Sequence, residues 1–424
     1  MNFVEGHGIL QAHGLGGATD LPIPFLYAMV GASWALTISF AVLALAWKEP
    51  RFTESPAEPL PKRRPWLGVL GAVVVAYVLI ALYAGPSSDQ NGALGAFYVL
   101  MWVGLVPLAL LFGPVWRDLS PWRTIQALVG KALGRPEGFI DYPKALGYWP
   151  AAVGLFAFVW QELASHDPGS SFAVRVWIGT YLAAMIAGGV VFGPTWFDRA
   201  DPFDVYSAIV SRLSPFVEDG RRRLHNPLRT LPSIPIERGL IAVLATLLGS
   251  TAYDSFSASS YWQSKTLSEL QHSLTLLVFV LVVAILFWLA CRATGGVSAE
   301  ERSALPGKMA HSLAPIVVGY IFAHYLTFLI EKGQSTIILL GDPLGKGWQP
   351  FGDTTPVLWF SEHPSVLAGI KVGFVVIGHV MAVIAAHDRA LILLPKAHRL
   401  SGQLAMLVLM VAYTFTGLFL LFSV

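Results

Sequence analysis

Apolar residues in this chain come in uninterrupted stretches about as long as a bilayer is thick, and polar residues are confined to the connections between them. A spanning helix needs roughly 17–25 mostly apolar residues. Such windows fall at 24–47, 66–84, 94–116, 148–163, 174–192, 239–253, 273–292, 309–330, 365–386 and 403–422, the fourth and sixth being short. The pattern predicts an all-α, polytopic transmembrane helix bundle of about ten spans, with one transmembrane domain covering residues 1–424.

The polar connections alternate in charge. Lys48, Arg51, Lys62, Arg63 and Arg64 follow the first span; Arg117, Arg123, Lys131, Arg135 and Lys144 follow the third. Arg199, Arg212, Arg221, Arg222, Arg223, Arg229 and Arg238 follow the fifth, Arg292, Arg302 and Lys308 the seventh, and Arg389, Lys396 and Arg399 the ninth. Only Arg175, Lys265, Lys332, Lys346 and Lys371, of 28 basic residues, fall on or near the other side. Basic loops stay cytoplasmic, so the N-terminus and C-terminus are both expected outside, and an odd span count would spoil the alternation. The start has neither a basic n-region nor a small-residue cleavage site, unlike a signal peptide.

A local pattern repeats. Phe112-Gly113-Pro114-Val115-Trp116 ends the third span and Phe192-Gly193-Pro194-Thr195-Trp196 the fifth. Each is followed by an Asp (Asp118, Asp198) and a Pro-aromatic pair (Pro121-Trp122, Pro202-Phe203). Amphipathic segments come next, with Ile125, Leu128, Val129, Ala132 and Leu133 on one face, and Val205, Ile209, Val210, Leu213 and Phe216 on another. The unit predicted is a hairpin plus a cytoplasmic interfacial helix, at 117–134 and 203–216. Pro ends each span and Trp anchors it at headgroup level. The connection 331–364 is expected as an outer loop able to re-enter the membrane.

Composition sharpens this picture. Charged residues are 13% of the 424 and hydrophobic ones 55%, against roughly 25% charged in a soluble domain. The net charge of +2 is accounted for by orientation, so the expected surroundings are the lipid bilayer of a plasma membrane, with room for a membrane protein partner, and no nucleic acid. Cys291 is the sole cysteine, which excludes internal disulfides, iron–sulfur clusters and thiolate zinc sites.

Ionisable groups inside a bilayer are costly and mark functional paths. Tyr320, His324, Thr327 and Glu331 are spaced four, three and four apart and share one helical face. Asp254 ends the sixth span and Glu162 the fourth, both on the expected outer side. The Gly-rich start His13-Gly14-Leu15-Gly16-Gly17 and Asp342 lie there too. Such a set suits a divalent metal on His13, Asp254 and His324, or general acid–base work by Glu331 or Asp342. Lys371 is expected to extend outward. His379, near mid-membrane, could pair with His324 on a metal or a haem, or stand on a proton path. No P-loop, His-Glu-x-x-His, Gly-x-Ser-x-Gly or Cys-x-x-Cys-His signature is present.

Several stretches together resemble a known family: His13-Gly14-Leu15-Gly16-Gly17 with Asp20-Leu21-Pro22, Ala323-His324-Tyr325, Glu331-Lys332-Gly333-Gln334, Gly341-Asp342-Pro343-Leu344-Gly345, Gly347-Trp348, Gly378-His379 and Ala386-His387-Asp388-Arg389-Ala390. In these the chain is similar to bacterial multi-pass proteins described as fenitrothion hydrolase-like. The resemblance implies a membrane-bound hydrolase that splits a phosphotriester-type small-molecule substrate, and it transfers no catalytic residue. Lys332 and Gly341 depart from the pattern. On a metal held by some of His13, Asp254, His324 and Glu331, bound water would lose its proton near neutrality. Two other classes stay open: a transporter or channel for a metal ion or small solute along His324, His379 and Lys371, and a non-catalytic subunit of a membrane complex, with or without haem.

Overall fold

A computed structural model describes residues 18–52, 63–88, 90–218, 221–222 and 224–422. Among these the regular structure is helical apart from a minimal hairpin, Val217–Glu218 with Arg221–Arg222. Eight helices are long and apolar enough to cross a membrane, and a bent pair makes a ninth if it is counted as one span. We label the principal helices α1 (Phe25–Ala46), α2 (Pro65–Ala84), α3 (Gly92–Val103 plus Leu105–Phe112, bent by 45°), α4 (Pro121–Ala132), α5 (Trp149–Leu163) and α6 (Ser171–Phe192). Next come α7 (Pro202–Ser211), α8 (Leu240–Ser257), α9 (Glu269–Arg292), α10 (Ala299–Leu340), α11 (Pro364–Leu393) and α12 (Leu404–Phe422).

Burial ranks the helices. In α8 and α10, 72% of the most apolar window is inside the molecule, against 22% in α2 and 28% in α6 and α9. Apolar all-round helices belong in a core or in lipid; here α8 and α10 form the core and α2, α6 and α9 the lipid-facing rim. The central helices can therefore carry polar groups away from lipid. Gly239 sets the start of α8, with φ 86°, and a Cβ there would lie 2.7 Å from Trp149 N, so only glycine allows this close left-handed entry.

The sequence repeat has a structural counterpart. Gly113 (φ 85°, ψ −155°) and Gly193 (φ 66°, ψ −155°) terminate α3 and α6 in the same unusual conformation. A short helix follows each, Val115–Leu119 and Pro194–Ala200, and then α4 and α7 begin at Pro121 and Pro202. The two units diverge from there. On α4 the polar side, Arg123 and Gln126, faces inward, and Leu128 points away from the protein, which suits an interfacial helix. On α7 Phe203, Val205, Tyr206, Ile209 and Val210 are all buried. That helix is a core element, where the amphipathic pattern predicted an interfacial one.

The eighth span is longer than its apolar window. α10 runs on through Leu340, so irregular chain begins at Gly341 rather than at Glu331. It contains a 3-10 turn (Ala310–Leu313) and a π-helical segment (Phe328–Lys332). The π-helical segment decides which side chains of α10 reach the site.

Candidate functional site

Asp254, near the end of α8, is the hub. Its Oδ2 lies 2.9 Å from His324 Nε2 and accepts a hydrogen bond of 2.8 Å from the Tyr325 hydroxyl, both from α10. His324 Nδ1 lies 3.1 Å from Ser255 Oγ, and the Tyr320 hydroxyl lies 3.2 Å both from that Oγ and from the Gly417 carbonyl of α12, so its one proton serves either acceptor. A carboxylate only accepts, so the Nε2–H of a neutral His324 donates to Asp254 and Nδ1 accepts from Ser255. The result is a hydrogen-bonded string from Asp254 through His324, Ser255 and Tyr320, with every member buried.

A second carboxylate stands beside it. Glu162, at the end of α5, is 3% exposed, lies within electrostatic reach of Asp254, and finds no hydrogen-bond partner for either oxygen among the described residues. A carboxyl group so enclosed is costly in its charged form unless a proton or a cation accompanies it. Tyr98 of α3 lies within electrostatic reach of Glu162, and its own hydroxyl donates to the Pro168 carbonyl. Thr327 Oγ1, one turn beyond His324, is also buried without a partner among the described residues.

The expected face of α10 holds only in part. Tyr320 and His324 do share it, but the π-helical turn at Phe328–Lys332 adds about one residue, which rotates the remainder of the helix by roughly 100°. Glu331 accordingly turns away, accepting from the backbone N–H of Ser361 at 2.9 Å and from its hydroxyl. Asp342 organises its own loop by accepting from Lys346 N at 2.9 Å and Gly347 N at 2.6 Å. Desolvation raises its pKa, but the backbone N–H groups of Lys346, Gly347, Trp348 and Gly345 together outweigh it and hold the carboxyl below the usual range, which makes a weak base. Neither expected acid or base touches the Asp254–His324 pair.

The remaining expected residues are also dispersed. His13 lies outside the described residues. His379 sits on α11, where Nδ1 is 2.8 Å from its own helix carbonyl at Val375, and Nε2 is buried without a partner among the described residues. Both ring nitrogens of His324 are engaged, by Asp254 and by Ser255. Among the described residues no three His, Cys, Asp or Glu side chains form a group that could hold a metal ion. Asp254 and His324, expected as fellow ligands, bond to each other instead. Lys371, expected to reach outward, is 1% exposed and within electrostatic reach of Asp20. His387 and Asp388 tether the exit of α1: Asp388 accepts from Trp47 Nε1, Arg51 N and Phe52 N.

Sequence spacing pointed to Asp254 and His324 but not to Ser255 and Tyr325. Residues i and i+1 diverge by about 100° on a helix, so neither was expected on the face of its neighbour. Where two helices cross closely, both positions reach the partner helix. The available signal was the doubling of polar residues, Asp254-Ser255 on one span and His324-Tyr325 on the other.

This architecture, apolar helices around a buried polar string, defines a multi-pass membrane protein. Compared with family models, curated proteins and solved structures, the chain matches none.

Proposed function

We propose that the chain is a ten-span protein of the bacterial plasma membrane, with both termini outside, that couples proton movement to the passage of a small solute. Counting the bent α3 and the 15-residue α5 beside the eight long helices gives ten, and the basic loops supply the orientation. The observation that carries the transport reading is the string together with the carboxylate beside it. Glu162, Asp254 and His324 come from three different helices, and all are withdrawn from lipid into the bundle. Ionisable groups so placed form proton relays in membrane transporters. The bend in α3 and the π-helical turn of α10 add support, since broken helices line such paths and these two segments pack against each other.

Protein in sealed vesicles containing a pH-sensitive dye tests this. Divalent cations, small organic acids and small organic cations are added in turn under an imposed pH gradient. At least one should drive proton movement above empty vesicles, and Asp254→Asn and His324→Gln should each reduce it about tenfold or more. If no solute moves protons, or if both variants behave as the wild type, the reading fails.

A second reading keeps the hydrolase implied by the resemblance, and one observation favours it: Ser255, His324 and Asp254 are ordered as nucleophile, base and orienting acid. Ser255 Oγ would attack phosphorus as His324 Nδ1 takes its proton, and the aryloxide would leave; attack by water on the phosphoryl-serine would free the enzyme. This route uses no metal. Turnover of an aryl phosphotriester that survives a chelator but is lost in Ser255→Ala would favour it over the metal-assisted alternative. Absence of turnover by the purified protein removes it.

A further inference from the structure

A cavity of about 180 Å³ lies beside the polar string but does not include Asp254 or His324. Leu248, Phe279, Val283, Tyr320, His379 and Tyr413 contribute to its wall. An apolar cavity of about 150 Å³ is large enough to take benzene, so this one holds a single substituted ring. Val282 and Leu286 of α9, and Ala412 and Thr416 of α12, also line it and are exposed on the outer surface of the bundle. The cavity therefore opens sideways, toward the acyl chains.

Its polar chemistry is sparse. The Tyr413 hydroxyl donates to the Val283 carbonyl at 2.8 Å, and that of Tyr320 to Gly417 or Ser255, so both rings serve as walls. His379 differs. Its Nδ1–H is spent on Val375, which fixes the tautomer and leaves Nε2 as a lone-pair acceptor, buried and without a partner among the described residues. A buried acceptor left unmade is costly, and a ligand bringing one O–H donor would satisfy it.

We infer that the cavity between α8, α9, α10, α11 and α12 binds a membrane-soluble, ring-sized molecule carrying a hydroxyl, a simple phenol in chemical class, whose O–H donates to His379 Nε2. Entry is lateral, from the bilayer. The site shares the Tyr320 ring with the polar string but stands independently of the transport reading, because none of its recognition runs through Glu162, Asp254 or His324.

The test uses 4-fluorophenol and 4-fluoroanisole, equal in body but differing in the donor, titrated against full-length protein in lipid nanodiscs and followed by fluorine NMR. Saturable binding should favour the phenol by roughly five- to tenfold, the worth of one hydrogen bond. His379→Leu should abolish the preference while leaving anisole binding nearly unchanged. Because Ala412 is exposed at the mouth, Ala412→Trp should weaken both probes without disturbing the core; it serves if the histidine variant misfolds. Equal affinity for the two probes, as an acyl-chain groove would give, overturns the inference. So does a phenol preference that survives His379→Leu, binding that survives Ala412→Trp, or the absence of any saturable component.

Discussion

Arg123 reaches out of the first repeated unit and into the second, with one guanidinium nitrogen 2.7 Å from Asp198 Oδ1 and 2.6 Å from Asp204 Oδ2. Burial alone would lower its pKa, but Asp204 and Asp198 more than offset it, and the guanidinium holds its proton more tightly than usual. Asp204 is almost fully enclosed, so deleting the cation strands a carboxylate. Arg123→Ala should therefore destabilise the protein by about 3–5 kcal/mol, read as a lower midpoint in detergent thermal unfolding. Removing the exposed Lys131 should cost under about 0.5 kcal/mol. If the two variants melt together, the link does not hold the repeats. Asp254 differs in kind: its partners, His324 and Tyr325, are hydrogen-bonding groups and not a fixed cation.

At the scale of elements, the packing of α10 on α11 determines where both histidines sit. Gly319 and Gly378 face each other at the crossing; a Cβ on Gly378 would lie 2.7 Å from the Pro315 carbonyl, and one on Gly319 2.6 Å from that of Phe374. Small residues are what allow helix backbones in membranes to approach this closely. Gly378→Ala should push the helices apart at a cost of about 1–3 kcal/mol and shift the neighbouring His379. Gly373→Ala, on the same helix with nothing within 4 Å of the added carbon, should be neutral or stabilising by up to about 1 kcal/mol. Thermal unfolding of the pair checks this, and equal losses would refute the close crossing. The helices themselves were legible in the sequence because apolar runs of this length have one structural solution in lipid. Their partners were not. The runs are apolar on every side, so the pattern does not say which of them meet. Asp254 and His324 could be placed near a common end, yet their direct bond depends on the α8–α10 crossing. Glu331 was misplaced because a π-helical turn carries no periodic signature.

For the whole molecule, the decisive property is sidedness, since the same residues mean different things at the two faces. If the basic loops are cytoplasmic, Asp254 and Glu162 sit at the outer ends of α8 and α5, and solute reaches the polar string from outside. Cysteine labelling can establish this because the background is nearly silent: Cys291 is the sole native cysteine and is buried. Ser264, between α8 and α9, should lie outside, and Ser303, beyond α9, inside; both are exposed. In intact cells a membrane-impermeant maleimide should modify Ser264→Cys and spare Ser303→Cys until the membrane is opened. The opposite result would invert the bundle and place the Asp254–His324 pair toward the cytoplasm, so that a proton would reach it from the other compartment. Equal labelling of both before opening would mean that α9 does not cross. The charge pattern argues against that outcome: Lys265 is the only basic residue between α8 and α9, whereas Arg302 and Lys308 follow α9, and moving such charges to the outer face is what the positive-inside rule opposes.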